Sequence, residues 1–114
     1  MRRSGWGETW FSLGVPMMKE TEPDRAKVGR DWRARGFSCG LWTDPPGQVW
    51  RDYVHDKDEL FMVVEGEVEL EMQGRTFRPA IGEEVLIPAR AAHTVRNEGP
   101  SVARWLYGYR KGGS

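Results

Sequence analysis

The chain has 114 residues, enough for one small domain with a modest hydrophobic core. Its 17 Lys and Arg side chains are balanced by 17 Asp and Glu side chains, which excludes a net positive field that would attract nucleic acid or an acidic membrane surface. Cys39 is the only cysteine, which excludes an internal disulfide and a thiolate-rich metal site and indicates a reducing, cytoplasmic setting. We interpret Cys39 as a small packing residue, with a nucleophilic role as the alternative.

The beginning of the chain differs in composition from the rest. Residues 1–28 are predicted to form an arm or loop, residues 29–110 a β-barrel, and residues 111–114 a flexible tail. No apolar run long enough for a secretory core or a membrane span follows the start, and Met17 or Met18 is an alternative first residue. Trp6, Trp10 and Phe11 show no clear periodicity and are expected to pack on the barrel or on a partner chain.

From residue 32 onward, short β-like runs alternate with turns that contain Gly or Pro. The candidate strands are Arg33–Thr43, Gln48–His55, Glu59–Val64, Glu67–Met72, Glu84–Ile87, His93–Arg96 and Val102–Tyr109. No segment keeps a helical period beyond two turns. The pattern predicts an all-β sandwich or barrel.

Two histidines occur in the chain, His55 and His93, and each lies at the end of a candidate strand. Glu59 follows His55 across a charged triplet, residues 56–58. On one continuous strand His55 and Glu59 would be roughly 13 Å apart, so we expect the triplet to bend the chain and let both side chains converge. Two imidazoles and one carboxylate form the donor set of mononuclear metal sites, although a purely structural role for each histidine is the alternative.

Two motifs in this region resemble those of the cupin superfamily, in particular its small, single-domain bacterial members. The spacing Gly47-x5-Tyr53-x-His55-x3-Glu59-x6-Gly66 resembles the first cupin motif. The spacing Gly82-x5-Pro88-x-Arg90-x2-His93-x3-Asn97 resembles the second, and eight of the ten fixed positions match. The resemblance implies a double-stranded β-helix, or jelly-roll, barrel in which His55, Glu59 and His93 are the metal ligands.

The two departures from the motifs carry their own expectations. Arg90 replaces a turn glycine and implies a slightly different loop conformation. Tyr53 stands at the position of the usual first histidine ligand. Because a neutral phenol is a poor ligand, we interpret Tyr53 as a catalytic residue that donates or relays a proton to a metal-bound water or a substrate oxygen. The alternative is a barrel that has lost its metal and kept a small-molecule pocket.

Other pocket residues follow from the alternation of side chains along strands. Arg51 is expected to face inward with Tyr53, where it clamps a carboxylate or phosphate of the substrate or pairs with an acid at the barrel mouth. Phe61 shares a face with Glu59 and is a second candidate substrate contact. Trp105, Tyr107 and Tyr109 share a face of the last strand and are expected to serve core or dimer packing, with ligand stacking as the alternative.

These residues favour a metal-dependent enzyme that acts on a small, anionic or neutral organic substrate by oxygenase or Lewis-acid isomerase chemistry. The expected cofactor is one divalent transition metal, namely Fe, Mn, Ni or Zn. The alternative is a non-catalytic binder of a sugar or organic acid. No nucleic acid or membrane partner is expected, and the resemblance implies a homodimer.

Overall fold

The computed structural model of the protein describes residues 23–111, so Trp6, Trp10 and Phe11 and most of the predicted arm and tail lie outside the described residues. One helix, α1 (Arg25–Ala34), precedes the strands in this range. The strands are β1 (Gly40–Asp44), β2 (Val49–Tyr53), β3 (Glu59–Glu65), β4 (Val68–Met72), β5 (Arg75–Phe77), β6 (Val85–Ile87), β7 (His93–Asn97) and β8 (Ala103–Tyr109).

The strands form two four-stranded antiparallel sheets in the orders β1-β8-β3-β6 and β2-β7-β4-β5. The chain repeatedly passes from one sheet to the other, so each sheet combines strands that are distant in sequence. This arrangement is a double-stranded β-helix, and the all-β jelly-roll prediction is confirmed. In the part of the chain that the structure describes, no helix is long and apolar enough to cross a membrane.

Strand β3 is buried on both faces, which explains its nearly continuous apolar sequence. Phe61 and Val63 face the interior between the two sheets, where they join a core cluster that includes Leu70 and Trp105. The alternate residues Leu60, Met62 and Val64 join a second cluster on the opposite face of the sheet. The two clusters therefore lie on opposite faces of β3. Glu59, the first residue of this strand, is on the same face as Phe61 and Val63.

Helix α1 covers the second cluster and was not predicted from the sequence. The prediction of a strand from Arg33 is wrong, because the helix runs to Ala34 and β1 begins only at Gly40. Asp24 caps the first turn by accepting a hydrogen bond from the Lys27 amide at 3.2 Å. Trp32, with 0% exposure, packs the helix onto the sheet. The predicted boundary after residue 28 lies inside this helix.

The segment after α1 runs very close to β8, and Gly108 makes this approach feasible. A Cβ atom at Gly108 would lie 1.9 Å from the Ser38 carbonyl oxygen and 3.0 Å from the Trp32 ring. Ser38 and Tyr109 exchange hydrogen bonds across this contact. On its other side β8 pairs with β3, so that Tyr109 near the end of β8 lies opposite Glu59 at the beginning of β3.

Candidate metal centre

The loop between β2 and β3 folds back onto the turn before β7, and this brings the candidate ligands together. The Asp58 carboxylate accepts a hydrogen bond from the Ala89 amide at 2.8 Å. The Arg90 amide donates to the His55 carbonyl oxygen at 2.6 Å. Arg90 has a φ of +66°, so it adopts the left-handed conformation of the glycine that the motif usually has there. The loop thus keeps the glycine-type conformation at this position, contrary to the expected difference.

His55, Glu59 and His93 converge at one end of the barrel. Glu59 Oε1 lies 3.5 Å from His55 Nε2 and 3.8 Å from His93 Nε2. One ligand atom from each of the three residues lies within 4.8 Å of the other two. The charged triplet therefore bends the chain as predicted, and the three side chains can reach a common ion.

Burial shifts the pKa values of two residues of this cluster, Glu59 and His93, in the metal-free protein. Desolvation raises the pKa of Glu59 to about 7. Burial lowers the pKa of His93, against the smaller opposing effect of a hydrogen bond to the Ala91 carbonyl. Because a carbonyl oxygen only accepts, the 3.2 Å contact assigns the proton of the neutral ring to His93 Nδ1 and leaves Nε2, 3.8 Å from Glu59 Oε1, unprotonated.

The donor set fits a divalent transition metal. Glu59 Oε1 is buried and has no hydrogen-bond partner among the described residues. A buried acceptor without a partner costs free energy, and a cation between it and the two imidazole nitrogens would satisfy it. Two neutral nitrogens and one carboxylate oxygen suit Fe, Mn, Ni or Zn. The orphaned oxygen is thus the structural feature that a metal ion explains.

A cavity of about 280 Å³ opens above the cluster. Seven of its twelve lining residues are aromatic. The lining consists of Trp42, Trp50, Tyr53, His55, Glu59, Phe61, Ile87, His93, Val95, Trp105, Tyr107 and Tyr109. The three candidate ligands are therefore part of the wall of a predominantly aromatic pocket.

Asp44 fixes one wall of this pocket. Its buried carboxylate accepts hydrogen bonds from the indole nitrogens of Trp42, at 2.9 Å, and Trp50, at 3.1 Å. The two indoles meet edge to face, with ring centroids 5.7 Å apart. The motif residue Asn97 braces the adjacent turn by donating to the Asp44 and Pro45 carbonyl oxygens. The sequence analysis did not identify Asp44, because its partners depend on the fold.

The structure separates the predicted substrate contacts. Phe61 lines the cavity beside Trp105 and is only 1% exposed. Tyr53 also lines the cavity but is 44% exposed, with its ring centroid 5.8 Å from that of His55. The inward orientation expected for Arg51 is wrong, because Arg51 is exposed and does not line the cavity.

A β-bulge explains the position of Arg51. The pairing of β2 with β7 shifts between Trp50 and Tyr53, and Asp52 adopts a φ of +51°. Strict alternation therefore fails, and Trp50 and Tyr53, three residues apart, both face the cavity. Trp50 takes the inward position that the alternation assigned to Arg51.

Tyr109 is a site residue that the sequence analysis placed in core or dimer packing. All three aromatic residues on its face of β8, Trp105, Tyr107 and Tyr109, line the cavity. Tyr109 Oη lies 3.4 Å from His55 Nε2. Desolvation, with a smaller contribution from the nearby Glu59 charge, raises the pKa of Tyr109 to about 12. The sequence shows that the three aromatic residues share one face of β8, but it does not show that β8 pairs with β3.

Comparisons with known proteins agree with this architecture. A family model described as Cupin domain matches residues 40–109. A polyketide synthase, CurC, from Streptomyces cyaneus is 34% identical over 101 residues, which cover 79% of this chain and 64% of that protein. The chain therefore spans less than two thirds of that relative.

Solved structures share the fold at low sequence identity. The DMSP lyase DddQ from Ruegeria pomeroyi has a TM-score of 0.60 at 22% identity, over 67% of this chain and 39% of that chain. A predicted oxalate decarboxylase from Thermotoga maritima has a TM-score of 0.60 at 16% identity, over 71% of this chain and 72% of that one. With both motifs in place and the family model covering the whole barrel, the chain belongs to the cupin family.

Proposed function

We propose that the protein is a metal-dependent enzyme that binds one divalent transition metal through His55, Glu59 and His93 and acts on a small, planar, largely apolar organic molecule. The observation that carries this proposal is the buried, unpartnered Oε1 of Glu59, which faces two imidazole nitrogens in the wall of an aromatic cavity. A barrel that used this cavity for packing alone would gain nothing from an orphaned carboxylate there.

The metal, when bound, would supply Lewis acidity toward a substrate oxygen or, as iron, the redox chemistry of an oxygenase. The chain's own residues supply the surroundings of the reaction. Phe61 and Trp105 exclude water from the inner part of the cavity, and the phenol groups of Tyr53 and Tyr107 offer hydrogen bonds to oxygen atoms of a substrate. Tyr53 keeps its proposed role as a proton donor near the cavity mouth.

The cavity lining favours a substrate that contains an aromatic ring. Among the described residues that line it, none is Lys or Arg, so no ammonium or guanidinium group there can bind a carboxylate or phosphate group of the substrate. A volume of about 280 Å³ lies at the lower end for small-molecule pockets and suits one or two rings. The similarity to a polyketide synthase supports a polyketide-derived aromatic compound as the substrate class.

The metal content of the purified full chain tests the proposal. We expect about one equivalent of a transition metal per chain, measured by mass spectrometry after purification without chelator or metal-affinity resin. His93→Ala is expected to retain less than a tenth of that amount, because one of three ligands is lost. Glu71→Gln, at a surface carboxylate outside the cavity, is the matched control and is expected to keep the full content.

A folded parent protein that stays free of metal after incubation with Fe, Mn, Ni and Zn salts would contradict the enzyme proposal. The cavity would then be the site of a non-catalytic binder, the alternative that Tyr53 at the usual histidine position favours.

A further inference from the structure

We propose that Tyr109 Oη is a fourth ligand of the metal and takes the role of the histidine that Tyr53 replaces in the motif. This inference rests on the proposed function, since it requires a metal at His55, Glu59 and His93. It concerns a residue on β8, outside both motifs.

The sheet register places Tyr109 beside Glu59. The two residues are directly paired across β3 and β8, so their side chains lie on the same face of neighbouring strands. The Tyr109 phenol reaches over to His55, with Oη 3.4 Å from Nε2, the nitrogen that also faces Glu59 Oε1. The ring centroids of Tyr109 and His55 are 4.9 Å apart. The phenol oxygen of Tyr109 therefore lies next to a candidate ligand atom of the cluster, His55 Nε2.

The spacing of these donor atoms matches that of ligands around one ion. With bonds of about 2.1 Å, two ligand atoms of a tetrahedral site are about 3.4 Å apart. Tyr109 Oη and His55 Nε2 are 3.4 Å apart, while Glu59 Oε1 lies 3.5 Å from His55 Nε2 and 3.8 Å from His93 Nε2. The distance from the phenol oxygen to His55 Nε2 thus equals that between two ligand atoms of one ion.

The backbone around Tyr109 is held on both sides, so the phenol position does not depend on a free loop. The Tyr109 amide donates to Ser38 Oγ at 2.9 Å. The Tyr109 carbonyl oxygen accepts from the Ser38 amide at 2.9 Å. A ligand carried by a paired strand is preorganised for binding, as metal sites require.

Tyr53 is less well placed for coordination than Tyr109. It is 44% exposed, and its ring centroid lies 5.8 Å from that of His55 and 6.3 Å from that of His93. A neutral phenol is a poor ligand, but a metal ion lowers the pKa of a phenol that it binds, so Tyr109 would coordinate as the phenolate. A metal–oxygen bond forms, the phenol proton goes to the buffer, and no oxidation state changes.

The experiment uses the visible absorption of a metal-bound phenolate. Chelator-treated full chain is titrated with Fe(III), and in a second series with Cu(II), while bound metal is counted by mass spectrometry. We expect a phenolate-to-metal charge-transfer band that saturates at about one metal per chain. Tyr109→Phe is expected to lose the band, whereas Tyr53→Phe and Tyr107→Phe keep it.

The chain has three tyrosines, so a double variant assigns the band even where Tyr109→Phe does not fold. A band retained in the Tyr53→Phe, Tyr107→Phe double variant comes from Tyr109. A band that disappears with Tyr53→Phe and survives Tyr109→Phe would overturn the inference. Stoichiometric metal binding without a band would overturn it while leaving the proposed function intact, and failure to bind metal would overturn both.

Discussion

Glu59 is held in the metal-free protein at a cost in folding free energy, because its carboxylate is buried and Oε1 has no hydrogen-bond partner among the described residues. Its folded-state pKa of about 7 lies above the ordinary value of 4.5. The protonated form is thus favoured by folding, so stability is full below pH 4.5 and falls as the pH rises to about 7. The shift corresponds to about 3 kcal/mol of folding free energy lost at pH 8.

We therefore expect Glu59→Gln to be more stable than the parent in chelator-treated protein at pH 8 and nearly equal to it at pH 4.5. Urea unfolding at both pH values measures this difference. Excess metal should reverse the order at pH 8, because only the parent gains free energy from binding. A Glu59→Gln variant less stable than the chelator-treated parent at pH 8 would show that the carboxylate has a partner in solution.

Single residues of the site differ in how far the sequence predicts them. His55, Glu59 and His93 follow from residue type and spacing, because the chain has only two histidines and the positions of all three residues in the motifs are fixed. Arg51 was misplaced because one bulge reverses the alternation, and the bulge depends on Asp52 adopting a positive φ. A positive φ at a non-glycine residue is uncommon, so the presence of an aspartate in a strand does not predict a bulge.

At the scale of elements, helix α1 depends on tertiary contacts more than on its own sequence. Its interior carries a glycine, and its only fully buried large side chain is Trp32. Glu84, just before β6, accepts hydrogen bonds from Trp32 Nε1 at 3.1 Å and from both terminal nitrogens of Arg35. One carboxylate thus ties the end of the helix to the sheet, which no periodicity within ten residues reveals.

The contacts of Glu84 with Arg35 and Trp32 predict that the stability of the fold decreases at low pH. The hydrogen bonds from Arg35, more than that from Trp32, hold the pKa of Glu84 below its ordinary value. A lowered carboxyl pKa stabilises the fold above the ordinary glutamate pKa, and the gain is lost as the pH falls through the folded-state pKa. We expect Glu84→Gln to be less stable than the parent by up to about 1 kcal/mol at pH 7, since the pair is partly exposed.

The difference between parent and Glu84→Gln should shrink as the pH falls below 4.5 and vanish below the folded-state pKa of Glu84, which thermal unfolding at a series of pH values measures. Glu67→Gln is the matched control, because Glu67 is exposed and makes no ion pair among residues 23–111. Equal stability of Glu84→Gln and the control at pH 7 would mean that burial of Trp32 alone holds the helix.

The strands show the complementary result. Most of the predicted strands correspond to observed ones within a few residues, because Gly- and Pro-containing turns separate them clearly. β5 (Arg75–Phe77) was missed because two of its three residues are polar, whereas β6, which has the same length, is apolar throughout and was predicted. Which strands pair was not predictable from the pattern, and pairing is what brings Tyr109 beside Glu59.

At the scale of the whole molecule, the predicted homodimer remains a proposal, and the free edge of β1 is where we place it. Among the described strands, β1 pairs only with β8, so its other edge has unpaired backbone groups. Leu41 and Trp42 on this strand are 44% and 40% exposed. Covering an open edge that carries large apolar side chains is a strong physical reason for association.

We expect light scattering to give twice the chain mass of 13.1 kDa for the parent protein. Leu41→Lys should shift the protein to the monomer, because a charge on the interface is costly to bury. Leu86→Lys is the matched control, since Leu86 is 50% exposed on β6, the opposite edge strand of the same sheet. A monomeric parent would contradict the dimer, whereas a monomer produced only by Leu86→Lys would move the interface to the β6 edge. Because Trp42 lines the cavity from β1, a dimer through this edge would also place the partner next to the pocket wall that Asp44 holds.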